Sequence, residues 1–196
     1  MISRAAKLLA ADTPAIAAAH FEVEADPYGP DNPGGYVNLG TADNRLVWDL
    51  LAPRLHTPPR QSDVHYGLLY GTPKLRTAIA TVLAPVWPGV DPEDLVVVSG
   101  ATAALDILAT TLCDPGEAIM VPAPYYAAFD TDLTARSGAR LLPVPMSPDN
   151  GFVLDRALTQ ARRDGVAVRA LAVTSPANPV GHTRPASPAW PGCCRD

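Results

Sequence analysis

Three short stretches of this chain combine residue types that could do chemistry. The first is Val98-Ser99-Gly100-Ala101-Thr102, where an apolar run ends in glycine and a helical pattern begins. The first N–H groups of a helix have no intrahelical partner and carry the positive end of the dipole, so they suit a phosphate, with the Thr102 hydroxyl as an extra donor. The same residues also suit a plain helix cap. The second stretch is Pro122-Ala123-Pro124-Tyr125-Tyr126, a stiff loop presenting two phenols. Such a loop can stack on a planar ring or close the edge of a core. The third is Pro176-Ala177-Asn178-Pro179, an asparagine between prolines. Its amide could donate to a phenolate-like oxygen, or it could form an ordinary Asx turn.

Positioning these loops requires strands that end where they begin. Leu95–Val98, Ala118–Val121, Arg140–Val144 and Arg169–Thr174 are apolar runs of strand length. Between them, helical patterns cover Ala101–Leu112, about Ala127–Ser137, and Leu154–Arg163. Alternation of this kind predicts an α/β domain with a mostly parallel sheet and helices on both faces. In such a sheet the loops at the carboxyl ends of the strands share one edge, where ligands bind. Thr72-Pro73 opens a further helix with a hydroxyl cap and a proline at its first position. Another is expected from about Asn44 to Leu55, and an alanine-rich amphipathic one near the start of the chain.

Composition narrows the function classes. The chain has 196 residues, 47% hydrophobic and 18% charged, with a formal net charge of -5. That is a globular composition and argues against a nucleic-acid binder, which carries a basic face. No apolar run reaches membrane-spanning length, and the cytoplasm is the expected location. Cys113, Cys193 and Cys194 provide neither a disulfide framework nor metal-ligand spacing. The pattern predicts an arm and small-domain segment over 1–65, an incomplete ligand-binding domain over 66–181, and a disordered tail over 182–196.

Two more segments complete an ordered set. Leu39-Gly40-Thr41-Ala42-Asp43-Asn44 is similar to an LG-x-A-E-N stretch, and Tyr66 to Arg76 is similar to a Y…G-x-P-x-L-R helix opening. Together the five motifs resemble the class I/II aminotransferases of pyridoxal-phosphate (PLP) fold type I, nearest the subgroup around 1-aminocyclopropane-1-carboxylate synthase. The resemblance implies PLP as cofactor, an amino acid and a 2-oxo acid as substrates, and a homodimer. It implies that Ala101 and Thr102 hold the cofactor phosphate, that Tyr126 stacks on the ring, and that Asn178 bonds the ring's 3-oxygen. Tyr66 would reach the phosphate of the neighbouring subunit, with Tyr70 as competitor. Ala42 and Asp43 would face the substrate, Asp43 standing where glutamate is usual.

The family also needs a Schiff-base lysine downstream of the asparagine loop. The sequence has Lys7 and Lys74, and no lysine follows Lys74. The resemblance therefore implies a truncated amino-terminal half, with no catalytic residue of its own, an uncovered apolar sheet edge and marginal stability. A non-catalytic remnant or binding module is one alternative. A synthase-like lyase is another. A generic nucleotide-binding domain lacks its glycine fingerprint here.

Overall fold

A computed structural model describes residues 2–11, 13–146 and 154–181. The tail over 182–196, with Cys193 and Cys194, lies outside the described residues. In chain order the elements are α1 (Arg4–Ala11), α2 (Ala15–Ala25), α3 (Trp48–Leu55), α4 (Pro73–Leu83), α5 (Ala101–Leu112), β1 (Ala118–Ala123), α6 (Phe129–Asp132), β2 (Arg140–Pro145), α7 (Leu154–Arg163) and β3 (Val168–Leu171). Contacts gather them into two compact units, one of Thr13–Ser99 and the other of the segment before it with the residues from Gly100 onward. Among the described residues no helix is long and apolar enough to cross a membrane.

In the unit from Gly100, β1, β2 and β3 form a parallel sheet in the order β2-β1-β3. Ala118 aligns with Arg140 on one side and with Val168 on the other. The central β1 is buried along Ala118–Val121 because strands flank it on both sides. That is why its sequence is a continuous apolar run rather than an alternating one. Ala109 of α5 and Cys113, which follows that helix, pack with Ile119, Val121, Phe129, Leu133 and Ala139 as one core. Burial pushes the Cys113 thiol up from its ordinary value.

Glu117 ties the start of this sheet together. Its carboxylate accepts the Asp114 N–H at 2.8 Å and the Arg169 Nε–H at 2.7 Å. The Asp114 N–H and then the Arg169 guanidinium hold its pKa below the ordinary glutamate value. A carboxyl whose folded pKa is depressed stabilises the fold above its unfolded pKa, and that contribution is lost as pH falls through the folded value. Urea unfolding of the wild type is therefore expected to lose stability on going from pH 7 to below the usual glutamate range. Glu117→Gln should show a smaller acid loss. Equal losses would mean the carboxylate is not held in the folded state.

Two expectations need correction in this part of the chain. The helix foreseen over Ala127–Ser137 is only the short α6, Phe129–Asp132. The hydroxyls of Thr131, Thr134 and Ser137 donate back to the carbonyls of Ala128, Asp130 and Leu133. Such bonds compete with the helical ladder, and Gly138 then turns the chain at φ +68°. The fourth foreseen strand, Arg169–Thr174, is β3 over Val168–Leu171, so residues 172–174 lie in the loop.

The unit Thr13–Ser99 contains the remaining corrections. The alanine-rich N-terminal helix is broken at Pro14, the N-cap of α2. The helix foreseen from Asn44 begins as a short 3-10 turn, Arg45–Val47, in which the Asn44 side chain accepts the Leu46 N–H. Leu95–Val98, expected as a strand buried on both faces, pairs with none of the described strands. Val96 is 69% exposed, and the Val97 N–H donates to the Tyr70 carbonyl at 3.0 Å. A run of valines packs as a buried strand only where strands flank both of its edges, and among the described residues no strand flanks this one.

α4 begins as the sequence dictates, with the Thr72 hydroxyl accepting the Leu75 N–H and Pro73 following the cap. One turn later Arg76 is buried. Its guanidinium donates to the Pro92 carbonyl at 2.7 Å, pairs with Glu93 at 3.1 Å and lies 4.7 Å from the centre of the Tyr70 ring. Gly71, at φ +104°, permits this packing, because a Cβ there would stand 2.6 Å from Val97 Cγ2.

Candidate active site

β1 and β3 are neighbours and run parallel, so the loops that follow them leave the same edge of the sheet. The N-terminus of α5 opens beside them. Together they enclose a cavity of about 740 Å³ lined by Ala101, Thr102, Tyr126 and Asn178, with Leu105 and Ile119 among its apolar walls. Four residues singled out in three separate loops of the sequence therefore meet in one place.

The start of α5 is open to a ligand. Its N-cap is Gly100, at φ +94°, and no side-chain oxygen caps the helix. The plain-cap reading of Ser99-Gly100 therefore has no hydrogen bond behind it. Free N–H groups and the helix dipole favour an anion at this point. The Thr102 hydroxyl donates to Asp132 Oδ2 at 3.4 Å.

The two tyrosines of the β1 loop divide their roles. The Tyr125 hydroxyl donates to Asp130 at 2.7 Å, and its ring lies nearly parallel to that of Phe129, with centres 6.5 Å apart. That hydrogen bond, then burial, raises the Tyr125 pKa. Tyr126 instead lines the large cavity, and its ring meets Phe129 edge to face at 5.7 Å. Tyr125 thus covers the core, and Tyr126 is the tyrosine that lines the large cavity. Asn178 lines this cavity and also a small one of about 30 Å³ behind it, shared with Tyr125 and Met146.

The remaining sequence candidates belong to the unit Thr13–Ser99. Tyr66 is fully exposed. Tyr70, its competitor, holds its ring against Arg76 and its carbonyl on the Val97 N–H. Ala42 is exposed, and Asp43 forms an exposed ion pair with Arg45 at 3.1 Å. Both charged residues border a cavity of about 530 Å³ with Trp48 and Leu51.

Sequence reasoning missed Asp132 and Arg45. Asp132 is the sole carboxylate among the described residues lining the large cavity, and no Lys or Arg lines it. Its signal was the Phe129-Asp130-Thr131-Asp132 run directly after the tyrosine loop. Arg45 was legible as an opposite charge two residues from Asp43.

A match to the family "Aminotransferase class I and II" covers residues 54–187, more than half of the chain. The chain belongs to the class I and II aminotransferase family. The cavity's loops fall inside the matched range, whereas Ala42 and Asp43 precede it. "1-Aminocyclopropane-1-carboxylate synthase 3" of Oryza sativa subsp. japonica is 34% identical over 198 residues, covering 87% of this chain and 44% of the rice protein. The solved aspartate aminotransferase of Thermus thermophilus with maleate is similar in structure, with a TM-score of 0.64. It is 25% identical, covering 95% of this chain and 47% of that one. An archaeal alanine:glyoxylate aminotransferase has a TM-score of 0.58 at 28% identity, covering 70% of this chain and 34% of that one. The chain thus spans less than half the length of these class I and II aminotransferase relatives. Its fold is the mixed α/β, parallel-sheet fold type I of the solved aminotransferases.

Proposed function

We infer that this chain supplies the cofactor cradle of a PLP-dependent enzyme that transfers the amino group of an amino acid to a 2-oxo acid. The observation that carries the reading is the convergence of an uncapped helix N-terminus, Thr102, Tyr126 and Asn178 on one cavity. These residues fit the cofactor. The cavity, about 740 Å³, is of the size that holds a small ligand, and its apolar walls suit an aromatic ring.

In this reading the N–H groups of Ala101 and Thr102 and the Thr102 hydroxyl bind the phosphate. Tyr126 stacks on the ring and excludes water from one face. The Asn178 amide donates to the ring oxygen and fixes the ring's rotation. Tyr66, with its ring free in solvent, reaches the phosphate of a second copy in a homodimer. Ala42 and Asp43 turn toward the substrate. When bound, the cofactor supplies an electron-withdrawing ring that acidifies the proton on the amino acid's α-carbon. Neither Lys7 nor Lys74 lines the cavity, so the amine that would anchor the cofactor and carry that proton is not assembled here. The chain by itself is a binding module for PLP without turnover. The likeness to the rice synthase favours a lyase acting on an amino acid as the second reading.

The test is titration of the full chain with PLP, followed by borohydride reduction and mass mapping. Thr102→Val, Tyr126→Ala and Asn178→Ala are each expected to weaken binding about three- to thirtyfold, as the loss of one hydrogen bond or stacked ring does. No stoichiometric adduct should form on Lys7 or Lys74. A full adduct on either lysine, or unchanged binding in all three variants, would overturn the reading.

A further inference from the structure

Asp132 occupies an unexpected place for a carboxylate. It ends α6, lines the large cavity, and is the sole formal charge among the described lining residues. Its Oδ2 is 3.4 Å from the Thr102 hydroxyl at the second residue of α5. A threonine hydroxyl has a single proton to donate. While Asp132 accepts that proton, the Thr102 hydroxyl can offer an incoming anion only its lone pairs. The carboxylate also brings a second negative charge to the helix end that favours an anion. No Lys or Arg of the described lining residues offsets it.

We propose that Asp132 is a positioning residue that competes with the ligand phosphate for the Thr102 proton and so sets how tightly the cradle holds phosphorylated ligands. It holds the Thr102 side chain in one rotamer when the cavity is empty. Binding of a phosphate monoester breaks the Thr102–Asp132 bond and turns the hydroxyl to the phosphate. The proposal rests on the reading of Thr102 as a phosphate ligand.

Titration of the full chain with PLP and with unphosphorylated pyridoxal tests this. Asp132→Ala, which removes both acceptor and charge, is expected to tighten PLP binding about three- to tenfold, the worth of one competing hydrogen bond. Pyridoxal affinity should not change. Asp132→Asn keeps an acceptor and should gain less. In a Thr102→Val background, Asp132→Ala should keep only the smaller part of the gain, the part that comes from removing the charge. A full gain in that background, an equal gain for pyridoxal, or no gain in Asp132→Ala would each overturn the proposal. A second measurement needs no ligand. The Thr102 methyl group, followed by NMR in the ligand-free chain, should report one rotamer in the wild type and an averaged set in Asp132→Ala. Identical methyl signals would sink the role of Asp132 even if Thr102 proves to bind phosphate. Rotamer release without any PLP binding would sink the cradle reading and, with it, the competition.

Discussion

Replacing Phe129 by alanine should remove a large share of the stability of the sheet-bearing unit and loosen the cofactor cradle in one step. Phe129 is 6% exposed and touches both tyrosines of the β1 loop. Its N–H also donates to the Tyr126 carbonyl at 3.0 Å. A buried Phe→Ala change costs about 3–5 kcal/mol through lost transfer energy and the cavity left behind. A domain is ordinarily stable by only about 5–15 kcal/mol, so the variant should be largely unfolded in mild urea. Phe129→Leu keeps most of the volume and is expected to cost less than about 1.5 kcal/mol. It still loses the edge-to-face contact with Tyr126, so PLP binding should weaken although the fold survives. Urea unfolding followed by circular dichroism, with PLP titration of the leucine variant, reads both effects. A midpoint for Phe129→Ala close to that of the wild type would show that the tyrosine loop does not depend on this ring.

The second large effect belongs to Arg76, in the other unit. Its side chain is 2% exposed, whereas that of its ionic partner Glu93 is 71% exposed. This asymmetry makes the two ends of one ion pair unequal under mutation. Arg76→Ala strips the Pro92 carbonyl of its donor, removes the cation from the Tyr70 ring and opens a void, at a cost of about 3 kcal/mol. Glu93→Gln merely weakens a solvated contact and should cost less than about 1 kcal/mol. The buried Arg76 Nε has no hydrogen-bond partner among the described residues. Arg76→Met, which keeps the packing and removes that orphan donor, should therefore cost less than Arg76→Ala. Thermal melts of the three variants give the order directly. A Glu93 variant as damaging as Arg76→Ala would mean that charge rather than packing holds this staple.

The parts of this fold that were legible in the sequence are those set by local rules. Thr72-Pro73 marks a helix start because a hydroxyl and a missing N–H are what a first turn requires. Ala118–Val121 reads as a buried central strand, and it is one, because both of its neighbours lie within the described chain. Leu95–Val98 is a continuous apolar run too, yet it pairs with none of the described strands, and the run alone cannot distinguish the two cases. Residues 133–137 misled because Leu133, Ala135 and Arg136 look helical in composition, whereas the Thr134 and Ser137 hydroxyls bond back to the backbone. The site followed the same division. Thr102, Tyr126 and Asn178, singled out from their positions after apolar runs, line one cavity. Choosing Tyr126 over Tyr125 in physical terms required seeing the Asp130 hydrogen bond and the Phe129 contacts. Asp132 was hidden because its relation to Thr102 spans thirty residues of chain.

The parallel order β2-β1-β3 also sets a timetable for the chain as it is made. β1 is synthesised first of the three strands, yet its second edge is closed only when Val168 aligns with Ala118. About 50 residues separate those partners, which at ordinary elongation rates is roughly 3–10 s of translation. Throughout that interval the apolar Ala118–Val121 segment stands on the growing chain with one edge unclaimed. A ribosome pause between the codons for β2 and β3 would lengthen the exposure and raise the demand for a holding chaperone. Once β3 has left the ribosome, the same pause would cost this sheet nothing.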